Sequence, residues 1–298
     1  MNNYDSLVTV LGWEDRSSEG ILNDLRNNRI LRIYALDFEK NQDTPPFKSG
    51  EIDEYCLTHH IEFNKIKIDY ETPLKSWKGI EGFVQGQSDI GTKVLLNITT
   101  MPRETIWSLL FFLRQSKAAQ IDYVYYKPQK YSNKWLSKEP CKPRLLFKHS
   151  GITELGKPTA LIILTGFDAD RTRQLINFYE PSLTVLGIQI GDQFDNLNRN
   201  DKKMHIEKCM GVTSFSEFNI DAYSEDHGLE VLRKEVKKLK KFNIIISSLG
   251  PKLSAIAIYK LFLEFPQIAI SYVSSKHYNS DYSEGTGEPI KGSFIENN

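Results

Sequence analysis

The feature that most constrains the fold of this chain is an α/β unit that occurs twice, about 150 residues apart. In the first copy an apolar run at 7–11 leads into the segment 12–16 and then into a helical pattern. In the second copy the run at 161–165 leads into the segment 166–171 and does the same. A repeat of this length corresponds to a whole fold rather than to a solenoid unit. The sequence therefore predicts two similar domains in tandem.

A second pair of matching motifs lies further along each copy. In the first, a strand-like run passes into Asn-Ile-Thr-Thr-Met-Pro-Arg at 97–103. In the second, a similar run passes into Ser-Ser-Leu-Gly-Pro-Lys at 247–252. Both motifs supply two hydroxyl side chains, a proline and a basic residue, and both precede a helical pattern. Their chemistry recurs although their sequence differs, which favours a shared role.

Composition indicates an ordinary globular protein. Of the 298 residues, 40% are hydrophobic and 26% are charged, as is typical of chains that bury a core. Lys plus Arg and Asp plus Glu both number 38, so the net charge does not favour wrapping of nucleic acid. The 3 cysteines do not suggest a disulfide framework. The longest apolar stretch, at 106–113, is too short to cross a bilayer, and no signal segment is seen, so we expect a cytoplasmic protein.

Short runs rich in Val, Ile, Leu and Tyr alternate with helical patterns in both copies. Strands are predicted in copy one near 6–11, 30–36, 62–68, 93–98 and 121–126. They are predicted in copy two near 160–165, 183–190, 213–218, 243–248 and 268–274. Such alternation is typical of a parallel sheet covered by helices. The predicted fold class is therefore α/β, with two tandem Rossmann-like domains related by internal duplication, each a mainly parallel sheet flanked by helices.

The domain boundaries follow the same pattern. Copy one is expected at 1–133 and copy two at 159–284. The segment 134–158 is predicted to be a basic, proline-containing linker, and nucleic acid could contact it through residues 134–148. The segment 285–298 is predicted to be a tail, since the sequence after Tyr282 is typical of a loop.

Topology indicates where a ligand would bind. In a sheet of strand order 3-2-1-4-5, the connections leave strands 1 and 4 in opposite directions and open a crevice at their carboxyl ends. The repeated motifs follow these two strands, and each leads into a helix whose first N–H groups and dipole favour an anion. The candidate ligand-binding residues are Gly12, Glu14, Arg16, Thr99, Thr100 and Arg103 in copy one, and Gly166, Asp168, Arg171, Ser247, Ser248, Gly250 and Lys252 in copy two.

A structural interpretation of these residues stays open. The threonine and serine hydroxyls would then cap the helices. Arg16 and Arg171 would pair with nearby acidic residues such as Glu14 and Asp168. The agreement between the two copies makes ligand binding the favoured interpretation.

These loops resemble those of the CRISPR-associated Rossmann-fold sensors, the CARF domains. The segment 97–103 is similar to that family's Asn-x-Thr-Gly-Gly-Thr-Lys loop but lacks its glycine pair, whereas 247–252 keeps one glycine and the lysine. The resemblance implies a pocket for cyclic oligoadenylate, built from the loops after strands 1 and 4 and shared across a dimer. No recognisable nuclease or helix-turn-helix segment follows either copy, so sensing alone would require a partner protein.

Three functions are left open by the sequence. The favoured one is a nucleotide-sensing or regulatory subunit of a bacterial antiviral system, with an anionic nucleotide at the crevices or between the copies. The second is an enzyme acting on a nucleotide or phosphoester, with Glu14 or Asp168 as acid or base. The third is a pseudo-symmetric scaffold that docks a partner protein. No catalytic residue, metal site or resident cofactor is assigned, and Mg²⁺ would arrive only with a nucleotide.

Overall fold

The computed structural model describes residues 2–38, 47, 49–69, 72–87, 89–191 and 200–295. The chain divides into two compact units, one of Met1–Glu139 with Ser275–Asn298 and one of Pro140–Ser274. Each unit contains a six-stranded, mainly parallel sheet, and eight helices flank the sheets in the described part of the chain. The predicted α/β fold class is therefore confirmed. No helix within the described ranges is long and apolar enough to span a membrane.

The first unit builds its sheet from five parallel strands and one antiparallel strand. The strands are β1 (Asn2–Val10), β2 (Asn28–Phe38), β3 (Glu62–Ile68), β4 (Lys93–Asn97), β5 (Gln120–Tyr131) and β14 (Ser283–Ile295). The helices are α1 (Asp15–Asn27), α2 (Gly50–Thr58), α3 (Pro73–Gly86) and α4 (Arg103–Leu113). The order across the sheet is β3-β2-β1-β4-β5-β14, and only β14 is antiparallel to its neighbour. The parallel part has the predicted order 3-2-1-4-5.

The reversal of strand order at β1 and β4 distributes the helices over both faces of this sheet. Right-handed crossovers place α1 and α2 on one face and α3 and α4 on the other. On the first face, Ile21 and Leu25 of α1 and Ile52 of α2 join one buried apolar cluster. On the other face, Trp77 of α3 packs against Phe112 of α4 with ring centroids 4.7 Å apart. Both faces are thus covered by apolar side chains, which is why the central strands are rich in apolar residues, whereas the edge strand β3 is largely exposed.

The second unit has the same strand order. Its strands are β7 (Arg144–Leu145), β8 (Thr159–Leu164), β9 (Leu183–Gln189), β10 (Ser214–Ile220), β11 (Asn243–Ser248) and β12 (Ala269–Tyr272). Its helices are α5 (Ala169–Tyr179), α6 (Lys202–Cys209), α7 (Leu229–Lys238) and α8 (Leu253–Glu264). The order is β10-β9-β8-β11-β12-β7, with β7 antiparallel at the edge. A shared topology also arises in unrelated chains, so internal duplication stays a prediction.

The segments expected to be linker and tail contain strands. Two of them, β6 (Ser137–Pro140) and β13 (Ser275–Tyr278), pair in a two-stranded sheet. The segment after Tyr282 is not a loop: it forms β14, with register shifts between Thr286 and Pro289 and between Ser293 and Ile295. Glycine and proline are uncommon inside strands, so the sequence of β14 does not indicate a strand. An edge strand with bulges nevertheless accepts such residues. The predicted domain boundaries stay a prediction, because compact packing does not establish independent folding.

Candidate functional site

The loops that follow β1 and β4 lie side by side in the first unit. A Cβ at Gly12 would be 2.7 Å from Oγ1 of Thr100, so only glycine allows this approach. The Gly12 N–H donates to Ser17 Oγ at 3.1 Å, and the Thr100 hydroxyl lies 3.2 Å from the same oxygen. The fold therefore brings Gly12 and Thr100 together at the carboxyl ends of neighbouring strands.

Arg16 is engaged in a buried ion pair. Its side chain is 1% exposed, and its Nη2 lies 2.9 Å from Oε2 of Glu14. Its Nη1 also donates to the Tyr126 carbonyl at 3.1 Å. Burial acts to lower the pKa of Arg16, but the Glu14 carboxylate together with Tyr125 and Tyr131 outweighs burial and raises it, so the guanidinium stays charged. This geometry favours the structural interpretation of Arg16 and Glu14.

Thr99 belongs to a buried hydrogen-bond network that fixes the loop after β4. Its N–H donates to Asn97 Oδ1, and its Oγ1 accepts from the Tyr126 N–H, both at 3.1 Å. Asn97 Nδ2 and the Tyr126 hydroxyl each donate to the Asp24 carboxylate at 2.7 Å. Burial raises the pKa of Asp24 to about 7, although both hydrogen bonds act to lower it. The network thus connects α1 to β4 and β5 below the loop.

Arg103 is the first residue of α4 and is half-buried. Arg103 interacts electrostatically with Tyr282, and the charges of Arg103 and Arg16 both act to lower the pKa of that phenol. Burial, together with the Glu14 carboxylate, nevertheless raises that pKa to about 12. The candidate residues Glu14, Arg16 and Arg103 therefore share one electrostatic environment around Tyr282.

The C-terminal residues of the first unit close one side of this environment. The Ser283 hydroxyl donates to Glu14, and the Tyr278 ring packs against Trp13 with centroids 5.6 Å apart. Sequence reasoning did not find these contacts, because Tyr278 and Ser283 are remote from Trp13 and Glu14 along the chain. Asp24 could have been found from the sequence. It lies between Ile21 and Leu25, so its carboxylate falls on the apolar side of α1.

In the second unit the loops after β8 and β11 also touch. A Cβ at Gly166 would overlap the Leu249 carbonyl oxygen, and one at Gly250 would be 2.7 Å from the Thr165 carbonyl oxygen. Both positions therefore require glycine. The second unit thus repeats the loop contact of the first unit. Here each glycine lies against the main chain of the other loop, whereas Gly12 lies against a side chain.

The charged residues after β8 cap the helix that follows. Asp168 is the N-cap of α5 and accepts hydrogen bonds from the N–H groups of Asp170 and Arg171, at 3.1 and 3.2 Å. Its other oxygen lies 2.9 Å from Nε of Arg171. Both groups therefore have a structural role, since an N-cap typically contributes about 1 kcal/mol to stability.

The two serines at the end of β11 are buried, whereas the lysine that follows is only half-buried. Ser247 Oγ donates to the Ser271 carbonyl at 3.3 Å, and Ser248 Oγ lies 2.6 Å from Ser254 Oγ. Lys252 occupies the N-cap position of α8. Arg103 and Lys252 are thus basic residues at equivalent helix starts in the two units.

His205 supports the second loop pair and was missed by sequence reasoning. Its Nε2 donates to the Gly166 carbonyl and its Nδ1 accepts from the Thr172 hydroxyl, both at 2.9 Å. A carbonyl can only accept, so the proton of the neutral ring resides on Nε2. Burial lowers the pKa of His205. The neutral imidazole therefore holds the main chain of the loop after β8.

Each pair of loops thus places helix N–H groups and one basic side chain, Arg103 or Lys252, at a helix start, and these are groups of the kind that attract an anion. Over the described ranges, no group of three or more His, Cys, Asp or Glu side chains could hold a metal ion.

No protein-family model and no curated protein matches the sequence. Among solved structures, the chain is similar to a type III CRISPR defence DNA nuclease activated by cyclic oligoadenylate. That similarity has a TM-score of 0.49 and 6% identity, over 85% of this chain and 63% of the nuclease. The chain is also similar to the cytoplasmic domain of a prokaryotic cation chloride cotransporter, with a TM-score of 0.28 and 10% identity, over 93% of this chain and 98% of that domain. It therefore spans less than two thirds of the nuclease, and these similarities assign no family.

Proposed function

We propose that the chain binds an anionic nucleotide at the loops after the first and fourth strands and acts as a sensing or regulatory subunit. The repeated loop contact carries this proposal. In each unit a glycine allows the two loops to touch, and a helix with one basic residue at its start, Arg103 or Lys252, follows one of them. A helix start and a cation together attract phosphate, and each charge-assisted hydrogen bond contributes about 1.5–3 kcal/mol.

We favour binding over catalysis because the carboxylates suited to acid–base chemistry are already engaged. Glu14 pairs with Arg16 and accepts from Ser283, and Asp168 caps α5. A general acid or base must reach the proton of the substrate. The groups that already bind Glu14 and Asp168 hinder such access. The enzyme alternative therefore gains no support from the geometry.

The CARF-like pattern of the loops supports a role in antiviral defence, with a cyclic oligonucleotide as one ligand of the proposed class. In that role a partner protein would carry the effector activity. The nucleic-acid contact through residues 134–148 and the scaffold function stay predictions of the sequence.

The test uses Arg103→Ala and Lys252→Ala in the full chain. We expect a nucleotide that raises the Tm of the wild type to bind each variant about tenfold or more weakly, because one contact to phosphate is lost. Thermal shifts and calorimetric Kd values against mono-, di- and cyclic nucleotides, with and without Mg²⁺, measure this effect.

Matched controls are Arg114→Ala, at the exposed C-cap of α4, and Lys241→Ala, which is exposed after α7. Both should bind like the wild type. Unchanged Kd values in Arg103→Ala and Lys252→Ala, or no response to any nucleotide, would rule out the proposal. Comparing the Tm values without ligand separates a loss of binding from a loss of folding.

A further inference from the structure

A separate cavity of about 470 Å³ lies within the first unit. It is lined by residues at the amino-terminal ends of β1, β2 and β5 and by Lys291–Ser293 near the end of β14. Because β1, β2, β4 and β5 are parallel, this cavity is at the opposite end of the sheet from the loops that follow β1 and β4. Its volume falls in the range of small-molecule pockets, about 300–1,000 Å³.

Asp122 supplies a fixed negative charge to this cavity. Asp122 lies on β5, which has a neighbouring strand on each side, and its cross-strand neighbours are Leu95 of β4 and Ser293 of β14. The Tyr4 hydroxyl and Gln120 Nε2 both donate to its Oδ2 at 2.8 Å. Burial and this carboxylate raise the pKa of Tyr4 to about 12, so the phenol stays a donor.

These two hydrogen bonds hold the Asp122 carboxylate in one orientation and leave its other oxygen available. Within the described part of the chain, no hydrogen bond reaches Oδ1 and no Lys, Arg or His forms an ion pair with Asp122. A half-buried, oriented carboxylate without a cation is a good site for an ammonium group.

Lys291 supplies a positive charge to the same cavity. It lies two residues before Ser293 on β14, and its side chain is exposed. It too forms no ion pair with the described carboxylates, although its charge helps to lower the pKa of the buried Asp24. The cavity lining thus contains one negatively and one positively charged side chain, and these two described residues do not form an ion pair with each other.

The remaining lining suits a small organic molecule. Leu95 and Val124 are buried apolar residues in the wall. Asp122 would repel a purely anionic ligand and Lys291 would repel a purely cationic one, so this cavity differs in chemistry from the helix starts at the other end of the sheet. A ligand with both an ammonium and a carboxylate matches both charges.

We propose that this cavity binds a small zwitterion of the α-amino-acid class, with its ammonium group on Asp122 and its carboxylate on Lys291. The ligand side chain then lies against the apolar wall of Leu95 and Val124. The site is independent of nucleotide binding.

The experiment titrates the full chain with each of the standard L-amino acids by calorimetry and thermal shift. At least one is expected to bind, and Asp122→Asn and Lys291→Met are each expected to weaken it tenfold or more. Lys291→Met leaves the hydrogen bonds of Asp122 intact, so it reports on binding even if Asp122→Asn fails to fold. Lys130→Met and Asp281→Asn, both exposed and outside the cavity lining, are matched controls that should bind like the wild type.

Derivatives of the amino acid that binds test the zwitterion directly. Its N-acetyl and carboxamide forms each lack one charge and should both bind at least tenfold more weakly. The proposal is overturned if no amino acid binds, if both cavity variants bind like the wild type, or if the neutralised derivatives bind equally well. Nucleotide binding should survive in Asp122→Asn and Lys291→Met, so failure of this site is distinguishable from failure of the nucleotide site.

Discussion

Asp24 is a buried carboxylate on α1 whose two hydrogen bonds come from Asn97 and Tyr126. Its folded-state pKa of about 7 lies above the ordinary value of 3.8. Such a group stabilises the fold fully below the ordinary pKa, and that contribution is lost as the pH rises through about 7. Each unit of pKa difference corresponds to about 1.4 kcal/mol. The first unit should therefore become less stable between weakly acidic and neutral pH.

Asp24→Asn is expected to remove most of this pH dependence. Its amide oxygen can accept from Asn97, and its NH₂ group can donate to Tyr126 after the hydroxyl rotates. Urea denaturation of the wild type and the variant at pH values between about 4 and 8 measures the effect. If the stability of the variant depended on pH as steeply as that of the wild type, Asp24 would not be the cause of the pH dependence. Asp281→Asn, exposed in the same unit, is the control and should keep the wild-type profile.

At the scale of elements, the contact between the loops after β8 and β11 depends on Gly166. A methyl group there would overlap the Leu249 carbonyl oxygen, a main-chain atom that cannot rotate away. Gly166→Ala should therefore lower the free energy of unfolding by about 1–3 kcal/mol, as overpacking of a tight contact does. The midpoint of urea denaturation measures this loss.

Gly82→Ala is the matched glycine control. Gly82 lies inside α3, and an added Cβ would meet no atom within 4 Å. Alanine favours a helix over glycine by about 1 kcal/mol, so this variant should be more stable than the wild type. If Gly166→Ala were as stable as the wild type, the loops after β8 and β11 would not be in contact as described.

At the scale of the whole molecule, acidification should affect the two units in opposite directions. Three buried histidines of the second unit, His149, His205 and His227, have pKa values lowered by burial. Their contribution to stability is present above the ordinary histidine pKa of 6.5 and is lost as the pH falls below it. Asp24 has the reverse effect on the first unit over the same range.

Amide hydrogen exchange at pH values of about 7 and 5, corrected for the intrinsic rate, tests this contrast. Protection of the second unit's strands should fall on acidification, whereas protection of the first unit's strands should rise. Carboxylates with lowered pKa values, Asp5, Asp226 and Glu264, titrate below this window. A change in the same direction in both units would contradict the assignment.

The ten parallel strands could be predicted from the sequence because most of them are short runs rich in Val, Ile, Leu and Tyr, although β3 and β10 at the sheet edges are largely exposed. Burial on both faces imposes that composition, so it is visible without coordinates. The strand order is that of a doubly wound sheet, and it places the loops after the first and fourth strands beside each other. The edge strand β14 could not be predicted, because an edge has one partner and tolerates Gly285, Gly287 and Pro289.

The sequence by itself determined the α/β class, the parallel order of the central strands and the presence of hydroxyl, glycine and basic residues after the first and fourth strands. Only the tertiary structure decided which partners those residues take. It placed Arg16 in a buried pair with Glu14, brought Ser283 to the same carboxylate, and set Asp122 and Lys291 in one cavity. The physical reason is that local sequence encodes burial and helix periodicity, whereas the partner of a polar side chain depends on residues that are remote along the chain.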